Sequence, residues 1–147
     1  MRVQSSVTLD ASTPEVFPYV SHLDRYEEWM PLVHRAHRDG DDAWMVELRA
    51  KVGPFARSKR LRMQRTECVE PSSPAEDGHV VFMRHELDGK SHSPWILTVR
   101  VHAKSGGSRV DVDLEYQGSL WTGGILEQVL NNSIDAGREG LRRVTSR

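Results

Sequence analysis

The hydrophobic period of this chain changes once, after residue 117, and that change bounds what it can fold into. Upstream, apolar residues recur every second position. Trp44, Val46, Leu48, Ala50 and Val52 alternate with Met45, Glu47, Arg49 and Lys51. Trp95, Leu97, Val99, Val101 and Ala103 repeat the pattern, as do Val110, Val112, Leu114 and Tyr116. Such alternation predicts strands with one buried face. Downstream, Leu126, Leu130, Ile134, Leu141 and Val144 are spaced 4, 4, 7 and 3, the stripe of an amphipathic helix. Ile125 and Val129 widen it. A helix over 120–146 would be roughly 40 Å long at about 1.5 Å per residue. Gly137 falls on the stripe and Gly140 follows. Each costs a helix interior about 1 kcal/mol relative to alanine, so the helix either kinks there or its backbone approaches the sheet closely.

Turn signals divide the rest. Residues 2–9 alternate as a strand. In Asp10-Ala11-Ser12-Thr13-Pro14-Glu15 a capping hydroxyl, a first-turn proline and an acid open a helix. Its apolar face is Val16, Phe17 and Val20, and Pro18 sits in its first turns or breaks it early. A second short helix over Leu23–Trp29 is closed by Pro31. Further strands are predicted over 32–38, 43–52, 56–69, 79–87, 95–103 and 109–117, separated at 39–42, 52–55, 71–78, 88–90 and 105–108. An antiparallel sheet with one apolar face needs a cover, and only the last helix is long enough. The expected class is α+β: a curved antiparallel sheet wrapped around a long C-terminal helix, with two short helices after the first strand. Length predicts one domain over 1–147.

Composition narrows function by exclusion. Twenty Lys and Arg against 21 Asp and Glu give a net charge of −1, so a global electrostatic case for nucleic acid is absent. Cys68 is the only cysteine, which excludes an internal disulfide and a zinc-finger framework. No run of about 18 apolar residues exists, and the first thirteen residues lack an apolar leader core. The expectation is a cytoplasmic protein without an integral membrane segment.

The segment Val7-Thr8-Leu9-Asp10-Ala11-Ser12-Thr13-Pro14-Glu15-Val16-Phe17, the pieces His22-Leu23-Asp24 and Trp29-Met30-Pro31, and the terminal striped helix together resemble the START-like superfamily of Bet v 1-type proteins. The likeness is to its SRPBCC branch, also labelled polyketide cyclase/dehydrase. It covers essentially the whole chain and implies a helix-grip fold with a ligand cavity. The family includes carriers of lipids and other hydrophobic ligands, quinone-binding proteins, aromatase/cyclases and co-chaperone domains, and fold does not choose among them.

Strand parity nominates the cavity wall. The expected ligand-lining residues are Trp44, Leu61, Met63, Met83, Trp95, Leu97 and Val99. Val112, Leu114, Tyr116, Trp121, Leu126 and Leu130 complete the set. Among Arg57, Lys59, Arg60, Arg62 and Arg65, the odd positions share a face with Leu61 and Met63. If Leu61 and Met63 face the helix, one or more of Arg57, Lys59 and Arg65 also points toward the cavity, either into water at its mouth or buried, where a cation needs a partner or a polar ligand. His85 follows Val81 and Met83 by alternation, although Val80 and Phe82 offer the opposite parity. Arg57, Lys59 and His85 are the candidates for any acid/base or oxyanion role. Asp111, Asp113 and Glu115 form an outward acidic ladder. The seven histidines show no metal-ligand spacing, and no phosphate-binding glycine motif exists, so no metal and no cofactor are expected. The leading reading is a binder or transporter of a hydrophobic small molecule (lipid, polyketide or quinone-like). A polyketide cyclase/dehydratase-type enzyme and a ligand-free interaction module are the alternatives.

Overall fold

The computed structural model describes residues 2–52, 54–117 and 125–146, and the side chains of all of these except Val52 and 125–130. Its elements are β1 (Arg2–Leu9), α1 (Thr13–Ser21), a 3-10 helix (Leu23–Glu28), β2 (Val33–Arg38), β3 (Ala43–Val52), β4 (Phe55–Val69), β5 (Gly78–Arg84), β6 (Trp95–Lys104), β7 (Gly107–Tyr116) and α2 (Ile125–Thr145). The strands form one antiparallel sheet in the order β1-β7-β6-β5-β4-β3-β2. This is the α+β helix-grip arrangement. β2 to β7 meander by short connections, and β1 joins the far edge by pairing Val7 with Val110 and Val3 with Leu114.

Local chemistry accounts for the entry into the sheet. At the start of α1 the Glu15 carboxylate accepts the Ser12 backbone N–H at 3.3 Å, half of a capping box. Pro18 lies inside α1, which runs on to Ser21. Thr13, wholly buried, donates from its hydroxyl to the Glu76 carbonyl at 2.7 Å and so pins α1 to the loop before β5. The second helical segment is a 3-10 helix, and Trp29 lies just beyond it as the C-terminal cap. The Tyr26 hydroxyl donates to the Val20 carbonyl at 2.7 Å, and Trp29 Nε1 donates to the Tyr19 carbonyl at 2.9 Å. These bonds fold the segment back under α1.

A bulge in β4 changes which side chains face inward. Arg65 pairs with Phe82, whereas Glu67 pairs with Val81, so Thr66 is the extra residue and the alternation reverses there. Arg65 is the inward cation with partners. It donates to the Ser21 carbonyl and to Asp42 Oδ1, both at 2.7 Å, and lies 5.2 Å from the Trp44 ring centre.

α2 presses its backbone on the Trp29–Met30 turn, not on the sheet. A Cβ placed on Gly140 would stand 2.2 Å from the Trp29 carbonyl oxygen, and one on Gly137 would stand 2.6 Å from Met30 Cε. Leu141 and Val144, each 1% exposed, seat the end of the helix in the core.

Candidate functional site

The inner face of the sheet divides into a packed end and an open end. At the packed end Val80, Phe82, Val99, Val101 and Val110 are fully buried beneath Val16 and Val20 of α1. Phe82 meets Trp44 edge-on at 5.7 Å and Tyr26 at 6.4 Å between ring centres. Two residues along β6 and β7 the packing stops. There Trp95, Leu97, Val112 and Leu114 face a cavity of about 110 Å³ together with Leu61 and Met63 of β4, Val46 and Leu48 of β3, and Val3 and Ser5 of β1. The opposite wall is the 3-10 helix and the turn after it (Leu23, Tyr26, Trp29, Met30, Leu32), with Ser133 and Ile134 of α2.

The lining is apolar almost throughout. Among the described lining residues Tyr26 alone carries a side chain that titrates. Burial pushes its phenol well above the usual tyrosine range, and its hydroxyl is engaged by Val20. Among the described lining residues, therefore, no side chain is ready to move a proton near neutral pH.

The residues nominated from the sequence fall into four places. Leu61, Met63, Trp95, Leu97, Val112 and Leu114 line the cavity. Trp44, Val99 and Tyr116 are buried but lie outside the lining. Trp44 packs at the other end and donates from Nε1 to Asp24 Oδ1 at 2.8 Å, and Tyr116 stacks on Trp95 at 4.9 Å. Met83 is 40% exposed, and His85 is exposed as well. Both are corrections, because β5 buries the Val80 and Phe82 parity beneath α1 and turns Met83 outward. Trp121 lies outside the described residues, as do the side chains of Leu126 and Leu130.

The cations also separate. Arg57 is exposed near the β3–β4 hairpin. Lys59 is half-buried, and its ammonium is held below the usual lysine range by burial and then by the nearby Arg84 charge, with Glu86 opposing. The inward arginine at the open end is Arg84, which the sequence reading passed over. It pairs with Met63 across β4 and β5, and its side chain is 9% exposed. An isolated arginine in the apolar run of 79–87 gave no pattern to read, whereas the cluster at 57–65 did.

The outer face carries the acids. Asp113 takes Arg2 Nε at 3.0 Å and Gln4 Nε2 at 3.2 Å. Asp111 takes the Ser6 hydroxyl at 2.8 Å and His102 Nε2 at 3.0 Å. These are cross-strand ties between β1, β6 and β7. Among the described residues no three His, Cys, Asp or Glu side chains group as metal ligands, and no helix is long and apolar enough to cross a membrane.

Over residues 1–146 the sequence matches the family described as polyketide cyclase / dehydrase and lipid transport. No curated protein matches it. Among solved structures, the chain is similar to a STAR-related lipid transfer protein from Xanthomonas axonopodis. That likeness has 12% identity and a TM-score of 0.73, over 99% of this chain and 86% of that one. It is also similar to the Zhui aromatase/cyclase from Streptomyces sp. R1128, with 14% identity and a TM-score of 0.63 over 100% and 94%. A START superfamily protein from Mycobacterium smegmatis matches with 14% identity and a TM-score of 0.63 over 99% and 97%. At these identities the likeness establishes the fold.

Proposed function

Since the chain belongs to the polyketide cyclase / dehydrase and lipid transport family, we propose that it binds a small hydrophobic molecule in the cavity between the sheet and α2. The observation that carries this reading is the cavity itself, about 110 Å³, whose described lining is apolar apart from the hydroxyl-bearing Ser5, Tyr26 and Ser133 and the indoles of Trp29 and Trp95. At about 24 cal/mol per Å³, an empty space of 110 Å³ costs roughly 2–3 kcal/mol of packing. A ligand that fills it recovers that loss and removes its own apolar surface from water at about 25 cal/mol per Å². A pocket of 110 Å³ is on the scale of one that admits a single aromatic ring, about 150 Å³. A longer ligand needs the Met30 thioether, which has several rotatable bonds, or Ile134 to give way. Binding rather than turnover fits the absence of a proton-moving group among the described lining residues.

The test is thermal and calorimetric. 1-Octanol should bind one-to-one and, at about 100 times its Kd, stabilise the protein by about 2.7 kcal/mol, raising Tm by roughly 5–10 °C. Leu97→Trp combined with Val112→Trp fills the cavity and should abolish the effect. Octanol binding that survives both substitutions places the site elsewhere.

A further inference from the structure

Every strand but β5 lends the described cavity wall an apolar side chain. At that level the inward residue of β5 is Arg84, beside Met63. The last pair of β5 and β6 is Met83 with Ile96. Arg84 and Trp95 are the next residues on their strands, and Trp95 is in the cavity wall.

Each carries a buried N–H with no hydrogen-bond partner among the described residues. Arg84 donates from Nη1 to the Ser93 carbonyl and hydroxyl at 3.3 Å, and its Nη2 reaches His92 Nδ1 at 3.4 Å. Its Nε has no hydrogen-bond partner. The Glu86 carboxylate is 3.6 Å from that Nε and is already engaged by the Arg62 backbone N–H at 2.6 Å. The Trp95 indole Nε1 is likewise buried and has no hydrogen-bond partner among the described residues. The indoles of Trp29 and Trp44 each have one, so the orphaned donor marks Trp95 alone among the described tryptophans. A buried N–H left unpaired is costly enough that native proteins rarely keep one without use. The charges lean the same way. Arg84 and Lys59 are two cations beside one carboxylate, Glu86, and burial and the Arg84 charge hold the Lys59 ammonium below the usual lysine range.

We infer that the cavity has a head-group subsite where β5 meets β6, in which Arg84 Nε and Trp95 Nε1 donate to the carboxylate of an otherwise apolar ligand. This rests on the hydrophobic-ligand reading above and sharpens it: the ligand is an amphiphile with one anionic end. Its apolar body lies among Leu97, Leu61 and Ile134, and its carboxylate faces Arg84. Lys59 contributes charge from the neighbouring strand.

Octanoate and 1-octanol share a chain and differ in charge, so calorimetry with the pair separates the two readings. Wild-type protein should take octanoate at least about tenfold more tightly than octanol, the scale of one charge-assisted hydrogen bond. Arg84→Gln should remove that preference while leaving octanol affinity within about twofold, and Trp95→Phe should reduce it. The octanol affinity reports whether each variant keeps its fold and cavity. Equal affinity of the two probes in wild-type protein overturns the subsite and leaves the hydrophobic pocket standing. An octanoate preference that persists in both variants also overturns it. If neither probe binds, both the pocket reading and the subsite fall.

Discussion

Gly140→Ala and Gly137→Ala should change stability in different directions, although both put alanine into the same helix three positions apart. In an unobstructed helix each exchange gains about 1 kcal/mol, partly by restricting the unfolded chain. At Gly140 the new methyl meets the Trp29 backbone, with the carbonyl oxygen at 2.2 Å and the carbonyl carbon at 3.0 Å. Those atoms belong to main chain tied down by the Trp29 and Tyr26 hydrogen bonds. Restoring ordinary contact requires α2 or the turn to move by roughly 1 Å, and overpacking of this kind costs about 1–3 kcal/mol. With backbone on both sides the upper end applies, so the net expectation is a loss of about 2 kcal/mol, or roughly 4–8 °C in Tm. At Gly137 the nearest atoms are Met30 Cε at 2.6 Å and Sδ at 3.1 Å, the end of a side chain that can turn aside. That variant should be neutral or stabilised by up to about 1 kcal/mol. Urea unfolding of both proteins, with m values matching wild type, gives the comparison. A Gly140→Ala protein as stable as wild type would refute the seating of α2 on the Trp29 turn.

Other outcomes follow from single contacts. Leu141→Ala, at a side chain 1% exposed, should cost about 2–5 kcal/mol in urea unfolding. Thr13→Val leaves the Glu76 and Ser73 carbonyls without the hydroxyl they share and should cost about 1–3 kcal/mol. The Arg2 hydrogen bond holds the Asp113 carboxyl below the usual carboxylate range, against the opposing effect of burial. Its contribution is present above the unfolded pKa of about 3.9 and is lost as pH falls through the lower folded value. The stability of Asp113→Asn should therefore fall less steeply than that of wild type below about pH 4, as read from melting temperatures across an acid series.

The strands were legible where alternation runs unbroken, as in Trp95 to Ala103 and Val110 to Tyr116, because one buried face imposes a period of two. The run His79-Val80-Val81-Phe82-Met83 has apolar residues on both parities. Its facing is set by what packs on it, since Phe82 is claimed by Trp44 and Tyr26 and Met83 goes to water. The reversal at Thr66 is equally tertiary, and no residue there announces a bulge. The cavity wall opposite the sheet escaped the sequence reading for a related reason. Leu23, Tyr26, Trp29, Met30 and Leu32 reach the cavity because a short 3-10 segment folds back under α1, and so short a segment carries no period. The signal available was the pair of glycines in the helix stripe. Their missing side chains recorded a close approach, but to the Trp29–Met30 turn and not to the sheet.

The pairing of β1 with β7 sets when the pocket can exist. β2 to β7 associate through neighbours close in sequence, but Val7 and Val110 are partners across most of the chain. Closing a loop of about 100 residues costs on the order of 4 kcal/mol in chain entropy, so non-local pairing of this kind slows folding. β1 is synthesised first and can dock only after β7 has been made. Val3 and Ser5, which line the cavity, belong to that strand. Until it docks, Val112 and Leu114 stand at an open sheet edge with their apolar faces exposed. An apolar molecule met at that stage would meet a sticky edge and not a pocket, so on the proposed reading a ligand enters only the finished fold.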